Sequence, residues 1–192
     1  MFNEKAASTD NVSAGLVART GSDAGVRAGG VFHVQCFDKD GNLKWETTEH
    51  NLVVNEGLQD MNTQYFKGST YTAAFYLGLI TGPGSGTSYS ASDTLTSHGG
   101  WTEFTNYSGA RKAVTFGSAT SADPSVIDNS GSPASFSISG AGGTVAGAFL
   151  CTVASGTSGV LFSESDFQSP GDRVVVNGDT LNVTYTFSLD AA

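Results

Sequence analysis

The chain has 192 residues, a formal net charge of −9 and only 14% charged residues. The sign of the charge argues against broad binding to DNA or RNA, whose phosphates call for Lys and Arg. The 25 glycines argue against long helices, while a 39% hydrophobic share with 12 Phe, 6 Tyr and 2 Trp is enough for one β domain with its own core.

The opening MFNEKAASTD has no apolar run of the kind a signal peptide needs. No stretch of the chain reaches the ~18–20 apolar residues of a membrane-spanning helix. Residues 1–28 read as an extended N-terminal arm, rich in Ala, Ser, Gly, Thr and Asp, with Leu16–Val17 and Val26 as its apolar points. Such an arm gains binding by ordering on a neighbouring subunit, so its late charges, Arg19 and Arg27, are candidate partner-binding residues. Residues 29–192 are expected to form a single β-sandwich domain.

That domain opens with a strand over Gly30–Phe37, in which Phe32, Val34 and Cys36 alternate with His33 and Gln35. The turn DKDGN and a return strand from Leu43 make a β-hairpin. Leu52–Val54 is a short strand end. A helix is then predicted over about 55–67: Asn55 offers an N-cap, Glu56 and Lys67 suit the two poles, and Gly68 suits the left-handed cap. Leu58, Met61 and Tyr65 fall on one helical face, which should plug one end of the core. Gly57 counts against the helix by about 1 kcal/mol relative to Ala.

Ala73–Ile80 is apolar on both alternating faces, as in a strand covered on both sides. Residues 82–100 form a long loop of turn-formers with little to bury. A loop of that length is usually functional or mobile; read as a surface contact, it makes Tyr89 and His98 candidate partner-binding residues. Strands are predicted over Trp101–Tyr107, Ala110–Phe116, Ala134–Ser139, Thr144–Val153 and Val160–Ser163. In Thr144–Val153, one face takes Val145, Phe149, Cys151 and Val153, and the other takes Ala146, Ala148 and Leu150. Asn177-Gly178 predicts a type I′ hairpin between Arg173–Val176 and Thr180–Leu189, because both central residues of that turn need positive φ. Eight to ten short strands imply an all-β fold, an antiparallel β-sandwich or partly closed barrel with one short helix.

The motifs that carry chemistry are thin. Asp38, Asp40, Asn42 and Glu49 match four positions of a calcium loop, but Leu43 stands where that template needs Gly, so the stretch reads as a hairpin turn. His33, His50 and His98 lack metal-ligand spacing. No G-x-S-x-G elbow occurs, and Gly82–Gly86 lacks the Lys-Ser/Thr of a phosphate loop. Glu164 and Asp166 are an unspecific acid pair. Cys36 and Cys151 read as two buried thiols. No catalytic, cofactor-binding or metal-binding residue is assigned, and the chain is not expected to be an enzyme.

NLVVNEGLQDM followed by AFYLGLI resembles a family of tailed-bacteriophage virion structural proteins with an N-L-[VI]-[VT]-N-x-G-L run and a Y-[LV]-G-L strand. Looser matches are Asp93–Thr94, Gly100–Glu103, Arg111, Asn129–Ser130, Ala146–Leu150 and Leu181–Phe187. Together they span about residues 30 to 190. The resemblance implies a non-enzymatic virion component made in the bacterial host cytoplasm. Its first form is a capsid decoration, or cement, protein on the major capsid protein. That protein would be a small symmetric oligomer, a trimer being the favoured form, with no nucleic acid or membrane partner. The alternative is a tail or fibre component that binds the host cell surface.

Overall fold

The structure, a computed structural model, describes residues 25–67, 74–81, 88–168 and 171–191. In chain order the first elements are β1 (Val26–Phe37), β2 (Leu43–His50), β3 (Leu52–Val53), α1 (Asn55–Lys67) and β4 (Tyr76–Thr81). Next come β5 (Thr102–Phe104), β6 (Lys112–Ala113), β7 (Ser125–Asp128), β8 (Ala134–Ser137) and β9 (Gly143–Val145). The last are β10 (Gly147–Cys151), β11 (Leu161–Asp166), β12 (Arg173–Val175) and β13 (Thr180–Ala191).

Two antiparallel sheets face each other. The first runs β2-β1-β13-β7, with β8 also paired to β13, and the second runs β3-β11-β10-β4-β5, with β6 also paired to β4. No barrel closes among the described residues, so the all-β expectation resolves to a sandwich. The alternation read from the sequence fixes the inner faces. Phe32, Val34 and Cys36 of β1 and Leu181, Val183 and Tyr185 of β13 are fully buried, and they share one cluster with Leu77, Leu79, Ala148, Leu150 and Phe162 of the second sheet.

A second apolar layer lies on the other face of the second sheet. Val54, Ile80, Ala146, Phe149, Cys151 and Leu161 are covered there by Leu95 and Trp101. Both cysteines are free and buried, Cys36 between the sheets and Cys151 in this outer layer. Arg111, also buried, forks onto Glu103 at 2.9 and 2.8 Å and stands 5.1 Å from the Phe149 ring centre. Its charge is thus paired, and its guanidinium lies over an aromatic ring.

Several elements depart from the sequence reading. Val26–Ala28, expected in the arm, already belong to β1 and pair with Ala191–Leu189. The predicted strands 101–107 and 110–116 shrink to three and two residues. The strand over 144–153 breaks at Ala146, whose amide donates to Ile80 O, so Val145 and Ala146 exchange faces. The Asn177-Gly178 turn exists, with Asp179 N donating to Val176 O at 3.0 Å, but it makes no hairpin ladder. Only Gly178 has positive φ, so the turn is not type I′. β12 pairs with β9 instead, and β8 takes the edge of β13 at Thr180–Val183.

The helix occupies the predicted residues with a different inward face. Its first turn is closed by Leu58 N donating to Val54 O, and Asn55 is itself the first helical residue. Glu56 reaches out of that turn and accepts from Leu161 N at 2.8 Å and Leu95 N at 3.4 Å. Gly57 is the buried residue of the helix: a Cβ there would lie 2.3 Å from Phe162 O. Of the predicted face only Met61 packs on the core, whereas Leu58 is 40% and Tyr65 82% exposed. The closest approach selected the smallest residue rather than the most apolar one.

Candidate functional site

α1 is pinned at its first turn, and Met61 packs on the core. Gly57 sits against the β11 backbone, while the last turn carries Tyr65 and Phe66 in solvent, 82% and 78% exposed, with their rings edge to face at 5.0 Å. Between that end of the helix and the sheets lies an open groove of about 810 Å³. The inner stripe of β13 explains it. Leu181, Val183 and Tyr185 are sealed between the sheets, whereas Phe187 and Leu189 on the same face stay partly open, with Phe187 packed on Phe162 of β11. Ile127, opposite Phe187 in register, and Val26, at the start of β1, extend this wall.

The floor is a set of aromatic rings. Phe116, Phe75, Phe162 and Phe187 follow one another at 5.9, 5.6 and 5.5 Å, and Tyr185 meets Phe116 at 6.4 Å. All four pairs are steeply inclined, as aromatic quadrupoles favour. The Tyr185 hydroxyl is satisfied away from the groove, accepting from Asn51 Nδ2 at 2.8 Å and from Ser163 Oγ at 3.2 Å. Burial pushes that phenol well above its ordinary value. Polar groups of the lining come from α1: Asp60, Asn62 and Gln64, with Gln64 donating to Asp60 at 3.1 Å. Such a surface binds apolar groups through area and shape.

Compared with protein-family models, curated proteins and solved structures, the chain matches none. The groove and the clusters around it therefore carry the functional reading.

Of the residues predicted for partner binding, the described ones do not converge. Arg19 lies outside the described residues. Arg27 is exposed on β1, opposite Asp190, in the sandwich rather than in an arm. Tyr89 and His98 lie in the loop before β5, and the described part of that loop, 88–100, is not a free one. Leu95 is fully buried, the His98 ring stacks on Trp101 at 3.7 Å, and Tyr89 packs against the outer layer. The Tyr89 hydroxyl is buried with no hydrogen-bond partner among the described residues. Burial, then the charges of Asp166, Glu164 and Asp172, push its phenol up.

Beneath this loop sits a strongly perturbed acid. Glu164 on β11 is fully buried and accepts from Trp101 Nε1 at 2.8 Å. The Ser90 amide is shared between Glu164 at 3.3 Å and Asp93 at 3.2 Å. Burial raises the Glu164 carboxyl to about 8, and the charge of Asp93 adds to it, against the stabilising Trp101 and Ser90 donors. A protonated Glu164 can then donate to Asp93, tying the loop to β11. Its companion is Asp93 rather than the Asp166 suggested by spacing, since Asp166 accepts from Gln168. The pair is walled off from solvent and acts as a loop anchor. In the Asp38 turn, the carboxylate accepts from the Asp40 and Asn42 amides, so it holds the hairpin.

The groove was not foreseen. Two signals pointed to it: the adjacent Tyr65 and Phe66 at the end of a short helix, and Gly57 inside its first turn.

Proposed function

We propose that the chain is a non-enzymatic virion structural protein of a tailed bacteriophage. On this reading it is a capsid decoration protein that binds the major capsid protein and further copies of itself, and so stabilises the shell. The observation that carries the reading is the aromatic groove beside the exposed Tyr65 and Phe66. An open apolar face of this kind is unfavourable in water and favourable at a protein contact. The resemblance of the Asn51–Ile80 stretch to phage structural proteins supplies the setting. Binding to the assembled shell alone would raise the shell's stability by mass action.

A tail component that binds the host surface would use a free loop such as the one expected over residues 82–100. Residues 88–100 instead cover the second sheet, which leaves the groove as the better-supported contact. The test is to mix purified protein with shells that lack it, then sediment and heat them. Retention with a raised disruption temperature supports decoration. Loss of the protein to the supernatant ends that assignment.

A further inference from the structure

The groove raises the question of which partner fills it. We propose that it is filled by a second copy of this chain, two molecules packing about a two-fold axis with Tyr65 and Phe66 of each seated in the groove of the other. This deepens the reading of the groove as an adhesive surface and does not depend on where the protein sits on the particle.

Three observations lead there. The projecting rings and the hollow lie on one patch, since Tyr65 and Phe66 stand at the mouth of the groove they would fill in a partner. A patch that is both knob and hole is self-complementary. It closes under two-fold symmetry, whereas a three-fold ring needs two different patches.

The size also fits. The groove holds about 810 Å³, ample for two aromatic side chains. Aromatic side chains bury about 150–250 Å² each. Four of them, at the exposure seen here and with the walls they cover, reach on the order of 1,200 Å², where specific interfaces begin.

The chemistry is layered as in a protein contact. Aromatic and aliphatic groups make the centre, and Asp60, Asn62 and Gln64 supply the polar groups. Each copy carries a net charge of −9, so long-range repulsion opposes the pairing and added salt tightens it.

The experiment is native mass spectrometry and sedimentation velocity on the full chain over a concentration series at low and high salt. The wild type, Phe66→Ser and Tyr65→Ser/Phe66→Ser are compared. Both positions are exposed, so folding is preserved, and far-ultraviolet circular dichroism checks it. A third variant, Leu189→Lys, alters the facing wall independently. The expected result is a species at twice the 19.7 kDa of one chain, favoured by salt, with association weakened roughly tenfold or more in each variant. A monomer at every concentration, a trimer, or a dimer indifferent to all three variants overturns the proposal, as does a monomer carrying a bound apolar small molecule. Shell retention is scored separately. A dimer that fails to bind shells leaves this inference standing and removes the decoration reading.

Discussion

Glu164→Gln tests the buried acid beneath the loop. The carboxyl titrates at about 8 in the folded chain against an ordinary value of 4.5. Below the ordinary value both folded and unfolded chains hold the proton, and the group adds no slope. Between 4.5 and about 8 the unfolded chain releases a proton that the folded chain keeps, so stability falls as pH rises. Above about 8 both forms are ionised and the loss is complete. At ~1.4 kcal/mol per pH unit, the loss is up to about 5 kcal/mol. Glutamine keeps an oxygen for the Trp101 indole and cannot ionise. Urea denaturation of both proteins from pH 4 to 9 measures the difference. The wild type should lose stability relative to the variant across that window, with the steepest part below pH 8. A wild-type-minus-variant difference that stays constant with pH refutes the assignment of the shift to this side chain.

Gly57→Ala gains about 1 kcal/mol in helix propensity, yet its Cβ meets the Phe162 carbonyl at 2.3 Å. A net loss of roughly 1–3 kcal/mol is expected from overpacking, read as a lower Tm; a rise in Tm contradicts the close approach. Arg111→Ala removes the fork on Glu103 and the cover over Phe149, and should cost roughly 2–4 kcal/mol in chemical denaturation. Native Cys36 and Cys151 should resist a thiol reagent at pH 8. Burial holds both thiols above their ordinary value, Cys36 at about 11, so labelling should follow unfolding, and rapid labelling of the native chain speaks against it.

Much of the sandwich was legible because alternation is a local property. Phe32, Val34 and Cys36, and Leu181, Val183 and Tyr185, announce their inner face from spacing alone. The helix limits were equally local, set by the residues around Asn55 and Lys67. Its buried face was not, because a helical pattern ranks residues by apolarity while the contact with β11 demanded the absence of a side chain at Gly57. The Asn177-Gly178 signal misled for a related reason. Turn chemistry named a reversal correctly, but the ladder partner of each flanking strand was decided by β9 and β8, far away in sequence.

The groove and the Glu164 anchor were hidden more deeply. Phe75, Phe116, Phe162 and Phe187 become one surface only when both sheets and α1 are assembled. Asp93 and Glu164 lie in a Ser-rich loop and a strand that look solvated when read singly. Residues 82–100 seemed to have little to bury because Leu95 and Tyr89 are spaced among polar residues. Both side chains pack against the second sheet.

The account rests on a β body that works by adhering to other subunits of a particle. Electron cryo-microscopy of the phage particle proposed to carry this protein tests that claim most directly. The account predicts density for the two-sheet body at many symmetric positions on the outer shell, with copies meeting at Tyr65 and Phe66. Density confined to the tail, or none on the particle at all, contradicts it.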